Sequence, residues 1–242
     1  MNPSKSPGWL QVLIDDWRLL TFRATHDELL TITTKHLAFG LLCAWIVGVG
    51  RYWDNSRVGI VQHLGIGSVI YVFVLSSFLW LIIWPLKPQN WSYLRVATFI
   101  SLVSPPAILY AIPVQNFFPL QTADAINSWF LLIVAVWRVA LLIFFLRRAC
   151  QLDLASIIVG TFLPLTFIVV VLTELNLEKA VFSLMGGLSE HTANDSAFAT
   201  LWALSIISLI LFIPLLLGYA VLVVVKAIRR RRLLMLDNKD DY

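Results

Sequence analysis

The sequence predicts an all-α, polytopic transmembrane helical bundle with six spans, and three observations predict it. Hydrophobic residues make up 59% of the 242 and charged residues only 13%, against about 25% charged in a soluble domain. A soluble chain of this length could not hide so much apolar surface in one core, whereas lipid removes the requirement. Mean hydropathy is +0.82, and the apolar residues gather into runs of roughly the 20 residues that a bilayer demands. Lys and Arg cluster near the ends of those runs, and the ten Trp and fifteen Phe suit an interface where aromatic rings collect.

Residues 1–35 form an N-terminal cytoplasmic or interfacial segment. In 7–23, Leu10, Leu13, Ile14, Trp17 and Leu20 share one helical face, while Gln11, Asp15, Asp16 and Arg18 share the other. That period predicts an amphipathic helix, with Pro7 suited to its first position. Such a helix either lies in the membrane interface or docks on the protein's own helices. The first 30 residues lack a continuous apolar region followed by a small-x-small site, so no cleavable signal peptide is expected. The first span is then the insertion signal.

Thr25 and Glu28 have capping-box spacing and open a helix that could continue to Gly50, interrupted by Lys35 and His36. The bundle itself occupies 36–225, with spans at about 36–50, 65–85, 96–114, 126–146, 154–172 and 197–225. The first is short, about 22 Å at 1.5 Å per residue against a hydrocarbon core of about 30 Å. A five-span rival would leave it on the inner leaflet. The second ends in Trp80, Trp84 and Pro85, and the third carries Pro105, Pro106 and Pro113. Arg147 and Arg148 close the fourth, Asp153 is placed to cap the fifth, and Pro164 and Pro214 lie within the fifth and sixth. Residues 226–242 form a basic cytoplasmic tail.

Charge orients these spans. With both termini in the cytoplasm, the inner segments hold Lys5, Arg18, Arg23, Lys35, Lys87, Arg95, Arg147, Arg148, Lys226, Arg229, Arg230, Arg231, Arg232 and Lys239. The outer segments hold Arg51, Arg57 and Lys179, so the split is fourteen to three, with Arg138 inside a span. Inverting the chain breaks that asymmetry. The expected location is the plasma membrane, which in a bacterium is the inner membrane. The expected partners are the bilayer, anionic headgroups at its cytoplasmic face, and a membrane-protein partner or second copy. Nucleic acid is not expected, because the net charge of +4 belongs to helix ends.

Arg138 is the residue whose chemistry is most out of place. It lies about 13 Å from the Arg147 end of its span, and a central arginine costs about 2.5–3.5 kcal/mol on insertion scales. It therefore needs partners inside the bundle. The third span can supply them, because Pro105, Pro106 and Pro113 free main-chain carbonyls around Ser101 and Ser104. The pair is either an anion, headgroup or substrate site or an interhelical clamp without a ligand. Arg51, Asp54 and Arg57 form a candidate outer rim beside Tyr52 and Trp53, or else a solvated turn in an aromatic belt. Arg229, Arg230, Arg231 and Arg232 read as a stop-transfer run in contact with anionic lipid.

Catalytic and cofactor motifs (HExxH, GxSxG, GxxxxGK[ST], GxGxxG) are absent, so no cofactor and no enzyme activity are expected. His26, His36, His63 and His191 lack ligand spacing, MGGLSEH at 185–191 reads as a loop, and Cys43 and Cys150 read as small buried hydrophobes. The Ser/Pro-broken ISLVSPPAILYAIP (100–113) and the Trp-bearing NSWFLLIVAVWRVALLIFF (127–145) resemble the Yip superfamily over about residues 60–175. That resemblance implies a membrane-organising or trafficking-like role. It also implies five spans and a far-side C-terminus, from which the Arg229–Arg232 run departs. Two functions stay in view: a non-enzymatic membrane-organising, scaffold or assembly subunit, and a small transporter or channel whose pathway passes Arg138 and the broken third span.

Overall fold

A computed structural model describes residues 8–52, 60–175, 177 and 195–237, and no β-strand occurs among them. The chain runs through α1 (Trp9–Leu20), α2 (His26–Leu30), α3 (Thr34–Tyr52), α4 (Ile60–His63), α5 (Ile66–Ile83) and α6 (Tyr93–Leu102). It continues through α7 (Leu120–Arg148), α8 (Leu154–Glu174) and α9 (Asp195–Asp237). Three 3₁₀ segments intervene: Trp84–Leu86, Pro105–Ala111 and Val114–Asn116.

Four helical stretches are long and apolar enough to cross a bilayer: Ile66–Leu86, Ala125–Arg148, Leu154–Glu174 and Trp202–Arg230. The expected third span is a bent pair, Tyr93–Leu102 and Pro105–Ala111, with 43° between its halves. It raises the count to five if both halves make one crossing. The expected first span is the apolar stretch Thr34–Gly50 of α3, which at 1.5 Å per residue is about 25 Å long and shorter than the hydrocarbon core. Six crossings are therefore not reached by helix length alone.

The helix ends follow local chemistry. Thr25 accepts the Glu28 N–H at 3.3 Å while Glu28 Oε2 accepts the Thr25 N–H at 2.8 Å, completing the capping box. The helix this box opens does not continue to Gly50; it stops at Leu30. The run Thr31-Ile32-Thr33 is β-branched and stiff at χ1, and the Thr31 hydroxyl takes the Glu28 carbonyl. A second helix then starts at Thr34. At the front of the chain, Gly8 is the N-cap of α1, so Pro7 precedes the helix and lies outside the described residues. Asp153 caps α8, accepting the Ser156 N–H at 3.1 Å.

Short as it is, α3 lies among α5, α6 and the 3₁₀ segment that follows α6, and small residues make that position accessible. A Cβ on Gly40 would collide with the hydroxyl of Ser101 and come within 2.6 Å of its carbonyl carbon. One on Gly48 would lie 2.9 Å from the Gly65 carbonyl, and one on Gly50 2.8 Å from the Ala111 methyl. Gly40 against Ser101 and Gly50 against Ala111 show α3 running alongside the broken span in the same direction. Gly65 itself has φ +67°, a conformation that favours glycine, and it lets α5 begin against the Trp45 carbonyl.

The core is built from facing aromatics and aliphatics. Phe99 of α6 stacks on Phe145 of α7 with ring centroids 4.2 Å apart, and both are fully buried. Phe78, Phe167 and Phe212 link α5, α8 and α9 in turn. Only 6% of the spanning window of α9 is buried by the rest of the chain. Its described polar ties are few: Thr173 to Ser205, Tyr219 to the Ile82 carbonyl, and Lys226 at the far end.

Candidate functional site

The break in the third span follows from two missing donors. Pro105 and Pro106 have no N–H to give to the carbonyls of Ser101 and Leu102. The next amide, that of Ala107, bonds Ser104 at 3.0 Å in a 3₁₀ turn instead of reaching Val103. The Val103 carbonyl is thereby left without a helical donor. Arg138 supplies one: its Nε donates to Val103 O at 3.2 Å, and the side chain is half-buried. Pro113 lies at the far end of the broken segment, opening the turn Val114–Asn116. The neighbouring Trp137 donates its indole N–H to Leu20 O at 3.0 Å. Consecutive residues of α7 therefore hold the broken span and the end of α1.

The hydroxyls nearby close on their own helices. Thr98 donates to Leu94 O at 2.7 Å, Ser101 to Thr98 O at 2.8 Å, Ser76 to Val72 O at 2.6 Å and Thr166 to Phe162 O at 2.9 Å. This is the local back-bonding that lets Ser and Thr sit at membrane depth.

A second polar cluster joins α1 to α3, and α1 docks on the protein with its main apolar stripe turned outward. Val12, Asp16, Leu19 and Leu20 face the protein, while Leu10, Leu13, Ile14 and Trp17 face outward. Asp16 is 5% exposed and its Oδ1 has no hydrogen-bond partner. Burial pushes its carboxyl up to about 7. Beside it, Asp15 Oδ2 lies 3.1 Å from His36 Nε2. The Thr33 N–H donates to His36 Nδ1 at 3.2 Å, so Nε2 carries the proton and donates to Asp15. The sequence does contain a signal for Asp16, in that Val12, Leu19 and Leu20 flank it at helical spacing.

A third cluster ties neighbouring helix ends together. Lys226 donates to Asp153 Oδ1 and to the Leu86 carbonyl, each at 2.8 Å. Burial pushes the Asp153 carboxyl up, but bonds from Lys226 and Ser156 outweigh it and hold the group at about 2. His26 Nδ1 meets the Arg148 carbonyl at 2.7 Å, and Arg18 pairs with Glu28. The Thr25 N–H and then Arg18 hold the Glu28 carboxyl below its ordinary value.

The remaining sequence candidates are only partly described. Arg51 lies in the last turn of α3 with its side chain undescribed, while Asp54, Arg57 and residues 185–191 lie outside the described residues. Arg229 and Arg230 are exposed; Arg231 and Arg232 continue the same helix, their side chains undescribed. The expected tail is thus helical as far as Asp237, and its first residue, Lys226, is an internal tie. Among the described residues no three His, Cys, Asp or Glu side chains are grouped to hold a metal ion. Comparison with protein families, with curated proteins and with solved structures finds no match to this chain.

Proposed function

We propose that this integral membrane protein is a non-enzymatic membrane-organising, scaffold or assembly subunit, with six crossings and both termini in the cytoplasm. The observation that carries the reading is the long apolar stretch Trp202–Arg230 of α9, of whose most apolar part the chain buries only 6%. A helix held at one edge offers most of its circumference to lipid or to the helices of another membrane protein. In support, Arg138 is engaged by a backbone carbonyl, and the Ser76 and Thr166 hydroxyls are closed on their own helices. Six crossings draw support from α3, which runs beside the broken span from Gly40 to Gly50, and from the fourteen-to-three charge asymmetry.

Photo-crosslinking residues at Ile210, Leu217 and Val221, all exposed on α9, test the role in native membranes. Capture of one discrete membrane protein or a second copy supports it, and labelling of lipid alone at all three positions contradicts it. The transporter reading keeps one observation in its favour, the 43° break at membrane depth. Water access to cysteines introduced at Ser101 and Ser104 would favour it.

A further inference from the structure

The outward face of α1 is a continuous apolar stripe that ends in arginine. Leu13, Ile14 and Trp17 line an open groove of about 540 Å³, completed by Arg18 and Arg23. Trp17 is 66% exposed although it lies among these apolar neighbours. The two arginines differ. Arg18 is neutralised by Glu28, whereas the exposed guanidinium of Arg23 has no protein partner among the described residues. The groove is therefore amphiphilic, with one uncompensated positive charge at its polar end.

Its depth identifies what an apolar lining can meet. Leu20, at the end of α1, accepts from Trp137, which precedes Arg148 by eleven residues on α7, or about 16 Å along the axis. His26, six residues beyond Leu20, has returned to the Arg148 carbonyl. The end of α1 thus lies well below the level of the α7 terminus and the chain climbs back through Arg23. A stripe at that depth faces acyl chains, and Arg23 on the climbing segment reaches the headgroup layer.

Resting on the reading that this is a membrane protein with this end cytoplasmic, we propose that the groove binds one anionic phospholipid of the inner leaflet. Its phosphate sits on Arg23, with Arg18 at the edge, and an acyl chain lies along Leu13, Ile14 and Trp17. Charge complementarity and the apolar lining together select a charged amphiphile over a zwitterionic lipid.

Native mass spectrometry of the detergent-purified full chain, titrated with phosphatidylglycerol or phosphatidylcholine, tests this. One phosphatidylglycerol per chain is expected to be retained over phosphatidylcholine, and Arg23→Gln is expected to weaken retention about fivefold. Equal retention of both lipids, or an unchanged Arg23→Gln protein, overturns the proposal. So does a second copy found in the groove, seen as a dimer that Trp17→Ser dissociates. Should Arg23→Gln misfold, Leu13→Gln, which leaves both charges in place, must weaken retention instead. Failure here leaves the α9 crosslinking result untouched, so the two readings fall separately.

Discussion

Arg138 of α7 donates from Nε to the carbonyl of Val103, 3.2 Å away, and that carbonyl lacks a helical donor because two prolines follow it. The costly charge and the costly helix break compensate each other. Arg138→Leu removes the donor and leaves Val103 O unsatisfied at membrane depth, which costs about 1–3 kcal/mol. Lower thermal stability in detergent is expected, with Arg138→Lys recovering part of it because an ammonium still donates. Equal melting of wild type and Arg138→Leu would show that the bond contributes nothing.

Asp16 makes stability depend on pH in an unusual direction. Its carboxyl rises from 3.8 to about 7, so the folded chain holds a proton that the unfolded chain has released over that window. Stability accordingly falls as pH rises from about 4 through 7, by on the order of 4 kcal/mol at the upper limit. The charged or titratable groups nearby are Cys43 on α3, which feels the Asp16 charge, and the Asp15–His36 pair of α1 and α3. Asp16→Asn is expected to melt higher than wild type at pH 8 and close to it near pH 4. A pH-independent difference would contradict the buried carboxyl.

Lys226 and Asp153 act in the opposite sense. Asp153 is held at about 2, so the pair contributes above the ordinary value of 3.8 and is lost as pH falls toward 2. Lys226→Met should loosen the end of α9 at neutral pH, read as faster hydrogen exchange around Leu222 and Val223. The difference from wild type should fade in acid.

Gly40→Ala places a methyl against Ser101, whose carbonyl carbon would be 2.6 Å away. Because a main-chain atom cannot rotate aside, α3 and α6 must separate, at about 1–3 kcal/mol. Ser101→Gly in the same chain should recover only part of the loss. Full recovery would place the conflict in the hydroxyl alone.

The long spans are legible in the sequence because apolar runs near 20 residues have few other uses. The Arg138–Val103 relation is half legible: prolines announce freed carbonyls, but which one a side chain reaches depends on packing. Asp16 is hidden for a physical reason. Polar residues on an amphipathic helix are ordinarily given to water, yet beside lipid the apolar face turns outward and the polar face must meet the protein. The stop at Leu30 is a local matter of three β-branched residues, which hydropathy does not weigh.

Crossing number and sidedness are tested most directly by single cysteines in a chain whose Cys43 and Cys150 are alanine. Gln89 and Gln151 are exposed at the end shared with Lys226, and Phe118 is exposed beyond the broken span. In sealed, oriented vesicles an impermeant maleimide should label Gln89→Cys and Gln151→Cys only from the cytoplasmic side and Phe118→Cys only from the other. Labelling of Phe118→Cys and Gln89→Cys from the same side would show that the broken segment turns back without crossing, and the six-crossing arrangement would be wrong.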